Sequence, residues 1–232
     1  MEKYNLESKT TSCVLSKNVL KEIEVYLTYR LLKKLNGVLG LTDKAKTEYH
    51  FILKDGLGEE TLLSVDDYHR EKLPNELEEI ILEYRVNYLD ADIRIRFSKG
   101  FMLTNIKIGL HCDGAKEIAL GIKSEIEAIL LENRTIHYIF YGKFAWIAWG
   151  IFLVAFNSAT WGLVKFPYSD QVWLFLLLAT LAYYPIRLAS PYTDFDTKNK
   201  ERRDKFISWL LNGMAGVFVF GVIAIYFREK ML

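Results

Sequence analysis

The stretch LEYRVNYLDADIRIRF at residues 82–97 decides the fold of the first half of the chain. Apolar and polar residues alternate through 82–88 and again through 93–97, and Asp90 and Ala91 lie between the two runs. Successive side chains of a β-strand point to opposite faces of a sheet, so this period of two predicts two strands with one buried and one wet face. A tight turn at Asp90 and Ala91 would join them as an antiparallel hairpin.

Three more strands are predicted around this hairpin. Residues 106–111 show the same alternation of apolar and polar side chains. Earlier in the chain, the stretches 49–54 and 61–65 flank an Asp-Gly-Leu-Gly sequence at residues 55–58, which is typical of a hairpin turn. The sequence therefore predicts an antiparallel sheet of about five strands.

Helices are predicted on both sides of these strands. Residues 16–35 carry apolar side chains at three- and four-residue spacing, and a second helix with an isoleucine stripe is expected to begin at Asp113. No proline, glycine or turn cluster lies between Asn133 and Tyr138, so this helix is expected to continue beyond the domain. Residues 1–134 are thus predicted to form an α+β cytoplasmic domain with flanking helices.

The second half of the chain differs in composition from the first. Although the 232 residues carry a net charge of only +1, residues 1–134 hold 20 basic and 23 acidic side chains, whereas residues 135–232 hold 10 and 6 and all five tryptophans. The whole-chain composition excludes a disordered or collagen-like protein. Cys13 and Cys112 lie far apart with no ligand spacing, so neither a disulfide framework nor a zinc site is expected.

Long uncharged segments predict an all-α membrane domain over residues 135–232. Residues 144–164 are 21 consecutive uncharged residues, about the length that crosses a bilayer as a helix. Two further apolar segments follow, which gives three transmembrane helices at about 138–160, 171–189 and 206–227. Small residues in the third segment are suited to packing within the membrane or to a homo-oligomer.

The distribution of basic residues predicts the orientation in the membrane. The connection between the second and third spans holds a basic cluster, whereas the connection between the first two holds only Lys165. The cluster consists of Lys198, Lys200, Arg202, Arg203 and Lys205. The positive-inside rule then predicts a multi-pass protein of the inner (cell) membrane with a cytoplasmic N-terminal domain and the C-terminus outside. The cluster would contact membrane lipids, and it does not indicate nucleic-acid binding.

Four basic residues on the wet face of the sheet are the candidate ligand-binding residues. They are Arg85, Arg94, Arg96 and Lys107. A tight hairpin would set Arg85 opposite Arg96, and like charges directly opposite each other destabilise a sheet. An anion over this face, either an anionic small ligand or an acidic segment of a protein partner, would resolve the repulsion. The alternative is that these side chains extend into solvent or pair with Glu83 and Asp92.

Sequence motifs for catalysis, metals and cofactors are not found. The histidines at positions 50, 69, 111 and 137 are scattered and lack metal-ligand spacing. No glycine-rich phosphate loop is present, and the serines lack the context of a nucleophile. We therefore expect a protein without a catalytic site, cofactor or metal.

The predicted layout resembles that of membrane effectors of bacterial antiviral defence or stress systems, in which a sensed signal leads to membrane disruption. The resemblance implies an oligomeric, non-enzymatic sensor-effector whose cytosolic domain binds an anionic ligand or a protein partner and whose spans permeabilise the membrane. A membrane-anchored accessory or scaffold subunit of a larger complex is the alternative.

Overall fold

The chain forms two compact units that do not follow one another in sequence. The computed structural model describes residues 2–39, 47–87, 91–100, 103–141, 143–161, 183, 186–187, 190–209, 212–213 and 216. The first unit consists of Met1–Tyr138 and Pro191–Lys198, and the second of Ile139–Ser190 and Asn199–Leu232. The sequence predicts two successive domains that meet between residues 134 and 135. In the structure, the first unit also includes the later stretch Pro191–Lys198.

A six-stranded antiparallel sheet lies at the centre of the first unit. Its strands are β1 (Glu2–Lys9), β3 (Thr47–Asp55), β4 (Gly58–Leu62), β5 (Leu77–Val86), β6 (Ala91–Ser98) and β7 (Asn105–Cys112). They lie side by side in the order β1-β7-β6-β5-β3-β4. The five strands predicted from the alternation correspond to β3–β7, and β1 is the additional edge strand. A separate parallel pair joins β2 (Val14–Leu15) to β8 (Asp194–Phe195).

The described helices lie between and after these strands. They are α1 (Lys17–Val25), a π-helical segment (Tyr26–Leu31), α2 (Leu32–Leu39), α3 (Ala115–Glu132), a 3-10 helix (Ile136–Phe140), α4 (Lys143–Trp161) and α5 at residues 200–209. Ser16 precedes α1, and its side-chain oxygen accepts a hydrogen bond from the Val19 N–H at 3.4 Å, which satisfies one free donor of the first turn.

Helices α1 and α3 cover one face of the sheet, and the core of the first unit lies between them. The alternate residues predicted to be buried are indeed buried there: Leu82, Ile95, Phe97 and Ile106 have no exposed surface. Apolar residues of α3, which recur along one side of the helix, complete this core; they are Ala115, Ala119, Ile122, Ile126 and Leu130. The apolar faces of the alternating strands and the apolar sides of the helices thus pack against each other to form the core.

The predicted continuation of the domain helix into a first span is wrong. Helix α3 begins after Gly114, whose φ of +69° is one that glycine adopts without strain, and it ends at Asn133. The Asn133 carbonyl accepts a hydrogen bond from the Val14 N–H at 2.8 Å, and the Thr135 N–H donates to the Ser12 carbonyl at 3.1 Å. Because these groups bond to the segment around β2, they cannot continue the helical ladder.

The predicted all-α membrane domain of three transmembrane helices is contradicted. Among the described residues, no helix is both long enough and apolar enough to cross a membrane. The first predicted span overlaps α4, in which only the thirteen residues 144–156 lack charged or strongly polar side chains before Asn157 and Ser158. A stretch of that length is shorter than a bilayer requires. The spans predicted at 171–189 and 206–227 lie mostly outside the described residues.

The localisation inferred from those spans is contradicted with them. A multi-pass protein of the inner membrane, with its N-terminal domain in the cytoplasm and its C-terminus outside, requires spanning helices, which the described part of the chain does not contain. The prediction of transmembrane helices, on which the resemblance to membrane effectors of antiviral defence was based, is wrong for the same reason. What the structure supports is an α+β fold built on the six-stranded sheet.

Candidate functional site

The sheet face opposite α1 and α3 is covered with charged side chains. We call it the charged face and define it by Glu7, Glu79, Glu83, Arg85, Asp92, Arg94, Arg96 and Lys107. These residues come from β1, β5, β6 and β7, and they alternate along each strand with residues of the core. All four candidate ligand-binding residues from the sequence lie on this face, and Arg94 is directly opposite Lys107.

The strand register gives these cations other neighbours than the tight hairpin predicted. Arg85 lies opposite Asp92, and Arg96 lies opposite Ile81. The predicted pairing of Arg85 with Arg96 is therefore wrong, because the register begins at Val86 and Ala91. The predicted repulsion between like charges is absent at Arg85, whereas Arg94 and Lys107 are like charges directly opposite each other.

The two central arginines lie over carboxylates that are mostly covered. Arg96 binds Glu79 with two parallel contacts, Nη2 to Oε1 at 2.5 Å and Nε to Oε2 at 3.1 Å. Arg94 Nε lies 3.1 Å from Glu83 Oε1. The Glu79 and Glu83 side chains are only 13% and 16% exposed, against 36% for Arg96 and 47% for Arg94. The outer layer at the centre of the face is therefore cationic. Two hydrogen bonds from Glu79 fix the orientation of the Arg96 guanidinium, and an ion pair holds that of Arg94 near Glu83.

The two peripheral cations form more exposed pairs. Lys107 Nζ lies 3.1 Å from Glu7 Oε1, and Arg85 Nε lies 3.3 Å from Asp92 Oδ1. The Lys107 ammonium, through its hydrogen bond and its charge, holds the pKa of Glu7 below its ordinary value. Each of the four cations thus has a carboxylate beside it, so the charged face is close to neutral as a whole while its charges are fixed in position.

A second candidate site is a cleft of about 860 Å³ in the first unit. Its charged lining consists of Asp55, Arg70, Glu71, Lys72, Glu76 and Lys198. Lys72 Nζ lies 3.8 Å from Asp196 Oδ1, which draws this lysine toward the stretch that carries β8. Sequence reasoning missed Arg70 and Lys72 because residues 66–75 have no helix or strand period, and the only signal is their density of charge before Pro74.

The residues of the predicted basic cluster are divided between the two units. Lys198 lines the cleft of the first unit, whereas the other four residues lie on α5, which belongs to the second unit. On that helix Lys205 Nζ contacts Glu201 Oε1 at 2.8 Å, one turn away, and this hydrogen bond and charge raise the pKa of Lys205.

Burial holds several reactive side-chain types in their neutral form. It raises the pKa of the Cys13 thiol to about 12, and it also raises the pKa of Cys112. Burial likewise raises the pKa values of the Tyr26 and Tyr84 hydroxyls to about 12. These groups stay protonated at neutral pH, and a protonated thiol is a poor nucleophile and a poor metal ligand. The described ranges contain no group of three His, Cys, Asp or Glu side chains placed to hold a metal ion.

The first unit is defined by its architecture as an α+β protein with an antiparallel sheet and helices on one face. No family model, curated protein or solved structure matches the chain.

Proposed function

We propose that the first unit is a protein-interaction module whose charged face binds an acidic segment of a partner protein, and that it acts by binding rather than by catalysis. The observation that carries the proposal is the pair of arginines, the exposed Arg94 and the half-buried Arg96, which lie over the covered carboxylates of Glu83 and Glu79. A guanidinium has five N–H donors, so contact with one carboxylate leaves donors that point away from the sheet.

Fixed guanidinium groups are suited to recognition because their ordering precedes binding. A long side chain that is immobilised only in the complex costs conformational entropy, and the contacts with Glu79 and Glu83 reduce that cost. The four cations are spread over the three neighbouring strands β5, β6 and β7, which favours an extended protein segment over a compact small molecule.

Binding of an acidic peptide tests this proposal. The probe is a fluorescein-labelled decapeptide of alternating Glu and Thr, and its dissociation constant is measured by anisotropy at two salt concentrations. We expect the double variant R94A/R96A to bind at least about tenfold more weakly than wild type. R94K/R96K is expected to lose most of the affinity too, because lysine keeps the charge but not the planar fork.

The matched control removes two positive charges from the opposite side of the sheet. K116A/K123A lies on α3 and changes the net charge by the same amount, so its affinity should stay within about twofold of wild type. Equal weakening in both double variants would show that the peptide follows net charge alone. That result, or no measurable binding by wild type, would refute the proposed function of the charged face.

The cleft supports a second candidate function, the binding of an anionic small ligand. Its volume lies within the usual range for ligand sites, about 300–1,000 Å³, and three cations, Arg70, Lys72 and Lys198, line it beside the carboxylates of Asp55, Glu71 and Glu76. Pyrophosphate is the probe, with binding measured by calorimetry. R70A/K72A should abolish the heat of binding and R94A/R96A should not, whereas the absence of heat with wild type would exclude this function.

A further inference from the structure

Strand β1 forms one edge of the sheet. Over the described residues it pairs with β7 alone, from Glu2 opposite Cys112 to Lys9 opposite Asn105. From Glu2 to Ser8, the backbone N–H and C=O groups of alternate residues point to the other edge of β1, where no strand of the described residues pairs with them. Such an edge is a template for a further strand, which extends the sheet by main-chain hydrogen bonds.

We propose that a second copy of this chain pairs with β1, antiparallel and about a two-fold axis at Asn5, so that two sheets join into one of twelve strands. The faces of the strand restrict the register. Tyr4 and Leu6 pack against the core of the first unit, whereas Lys3, Asn5 and Glu7 are exposed on the other face. Only registers that set odd-numbered residues opposite odd-numbered ones keep both faces continuous across the new pair.

Among these registers, charge selects the one centred on Asn5. It sets Lys3 opposite Glu7 of the second copy, and by symmetry Glu7 opposite Lys3, while Tyr4 lies opposite Leu6 in the same reciprocal way. A register centred on Leu6 would instead oppose Lys3 and Lys9, which are both cationic. A register centred on Tyr4 would oppose Glu2 and Leu6, one charged and one apolar. Opposite charges and apolar pairs stabilise neighbouring strands, and like charges destabilise them.

The contacts of Glu7 fit this register. Its carboxylate already lies 3.1 Å from Lys107 Nζ on β7, and in the dimer it would lie between this ammonium and that of Lys3 of the second copy. The row of charges from Glu83 and Arg94 through Lys107 to Glu7 would then continue into the second sheet. This inference rests on β1 and not on the peptide-binding function, so either can fail without the other.

Sedimentation equilibrium of the full chain tests the charge pairs. Wild type is expected to dimerise, and K3E and E7K are each expected to raise the dissociation constant about tenfold or more, because each homodimer then contains two like-charge pairs. An equal mixture of K3E and E7K should recover a heterodimer, in which both cross-strand pairs are again opposite in sign. K9E is the control, since Lys9 would face position 1 and should leave dimerisation unchanged.

Disulfide trapping tests the axis without altering a charge pair. In the N5C variant the two introduced cysteines face each other at the axis, within the Cα distances that a disulfide spans. The native Cys13 and Cys112 are buried and do not compete. N5C should give a covalent dimer on mild oxidation. K9C, on the same strand and the same face, would place its two sulfurs about eight residues apart and should remain monomeric on a non-reducing gel.

Three results would overturn the inference. The first is a wild-type chain that remains monomeric at every concentration tested, which would leave the edge to a strand of another protein. The second is equal trapping of N5C and K9C. The third is a mixture of K3E and E7K that associates no better than either variant alone, and this result would place any dimer contact elsewhere.

Discussion

The two faces of the six-stranded sheet are made from the same strands and are stabilised by different interactions. On the helix-covered face, Phe51, Leu82 and Phe97 have no exposed surface, and apolar packing holds the strands to α1 and α3. On the charged face, the interactions are ion pairs between side chains whose exposure ranges from the 13% of Glu79 to the 61% of Glu7. Solvent screening makes most such pairs weak.

This difference separates the part of the molecule that determines stability from the part that is available for binding. Burial of apolar surface is the main source of folding free energy, so substitutions on the helix-covered face should act mainly on stability. Substitutions on the charged face should cost little stability and change recognition. The following variants test this division in order of decreasing effect.

The largest effect is expected from truncation in the core. Phe51→Ala removes a fully buried ring from β3 and should lower the free energy of unfolding by about 3–5 kcal/mol in urea denaturation. The control is Leu57→Ala, another apolar truncation, at a hairpin position that is 89% exposed; it should stay within about 0.5 kcal/mol of wild type. Comparable losses in both variants would contradict the assigned core.

The next effect comes from Glu24, a charged residue buried on the helix-covered side. Its carboxylate oxygens accept a hydrogen bond from the Val65 N–H at 3.2 and 3.3 Å. Glu24→Ala would leave that buried donor without a partner and should cost about 1–3 kcal/mol. Glu24→Gln keeps an acceptor oxygen and should cost less.

Wild type and the Glu24→Gln variant should also differ in how their stability depends on pH. Desolvation by burial raises the pKa of Glu24 above its ordinary value of 4.5, so between that value and the raised one the folded state binds more protons than the unfolded state. Unfolding free energy in this window falls as pH rises. The stability of wild type relative to Glu24→Gln should therefore decline as pH rises from 4.5 and level off above the raised pKa. A relative stability that increases over this range would contradict the burial of an ionisable carboxyl.

A smaller effect is expected from the strongest ion pair of the charged face. A double-mutant cycle with Glu79→Gln and Arg96→Gln should give a coupling free energy of about 1 kcal/mol, because the carboxylate is mostly covered and the two hydrogen bonds are parallel. A coupling near zero would mean that these contacts do not fix the arginine, and it would weaken the argument for an ordered recognition surface.

The smallest effect is expected from a more exposed pair on the neighbouring strands β3 and β4. Lys54 Nζ lies 2.7 Å from Glu59 Oε2, with side chains 37% and 45% exposed. The corresponding cycle should give no more than about 0.5 kcal/mol, and this value should decrease further in 1 M salt. A coupling free energy as large as that of Glu79 and Arg96 would show that solvent exposure does not determine the strength of these ion pairs.

Local periodicity accounts for the part of the fold that was predicted correctly. Residues 82–86 of β5, 91–97 of β6 and 105–112 of β7 alternate strictly because one face of each strand is buried, and this pattern is visible without knowledge of the partner strands. Strand β1 was missed because only Tyr4 and Leu6 mark its inner face and its partner β7 lies about a hundred residues later. The packing of Pro191–Lys198 on the first unit is also a long-range contact that no local pattern encodes.

The sequence predicts which face of the sheet carries the candidate residues, but it does not predict which of them lie opposite each other on neighbouring strands. The observed register of β5 and β6 differs from the tight-hairpin register by an even number of residues, so the same side chains face solvent in both. Alternation therefore identifies Arg85 and Arg96 as neighbours on one face, but it cannot show that Asp92 lies opposite Arg85. The length of the connection between the strands decides that, and residues 88–90 of it lie outside the described chain.

The hydrogen bonds beside β2 affect how the protein can fold while it is being synthesised from its N-terminus. Ser12 Oγ lies 2.7 Å from Thr135 Oγ1 and donates to the Tyr192 carbonyl at 2.6 Å, a partner 180 residues further along the chain. When the ribosome has completed the sheet and α3, the strand that pairs with Val14 and Leu15 has not yet been made. The nascent first unit therefore has an open side until Pro191–Lys198 emerges, and during that interval β2 is accessible to chaperones or to neighbouring nascent chains.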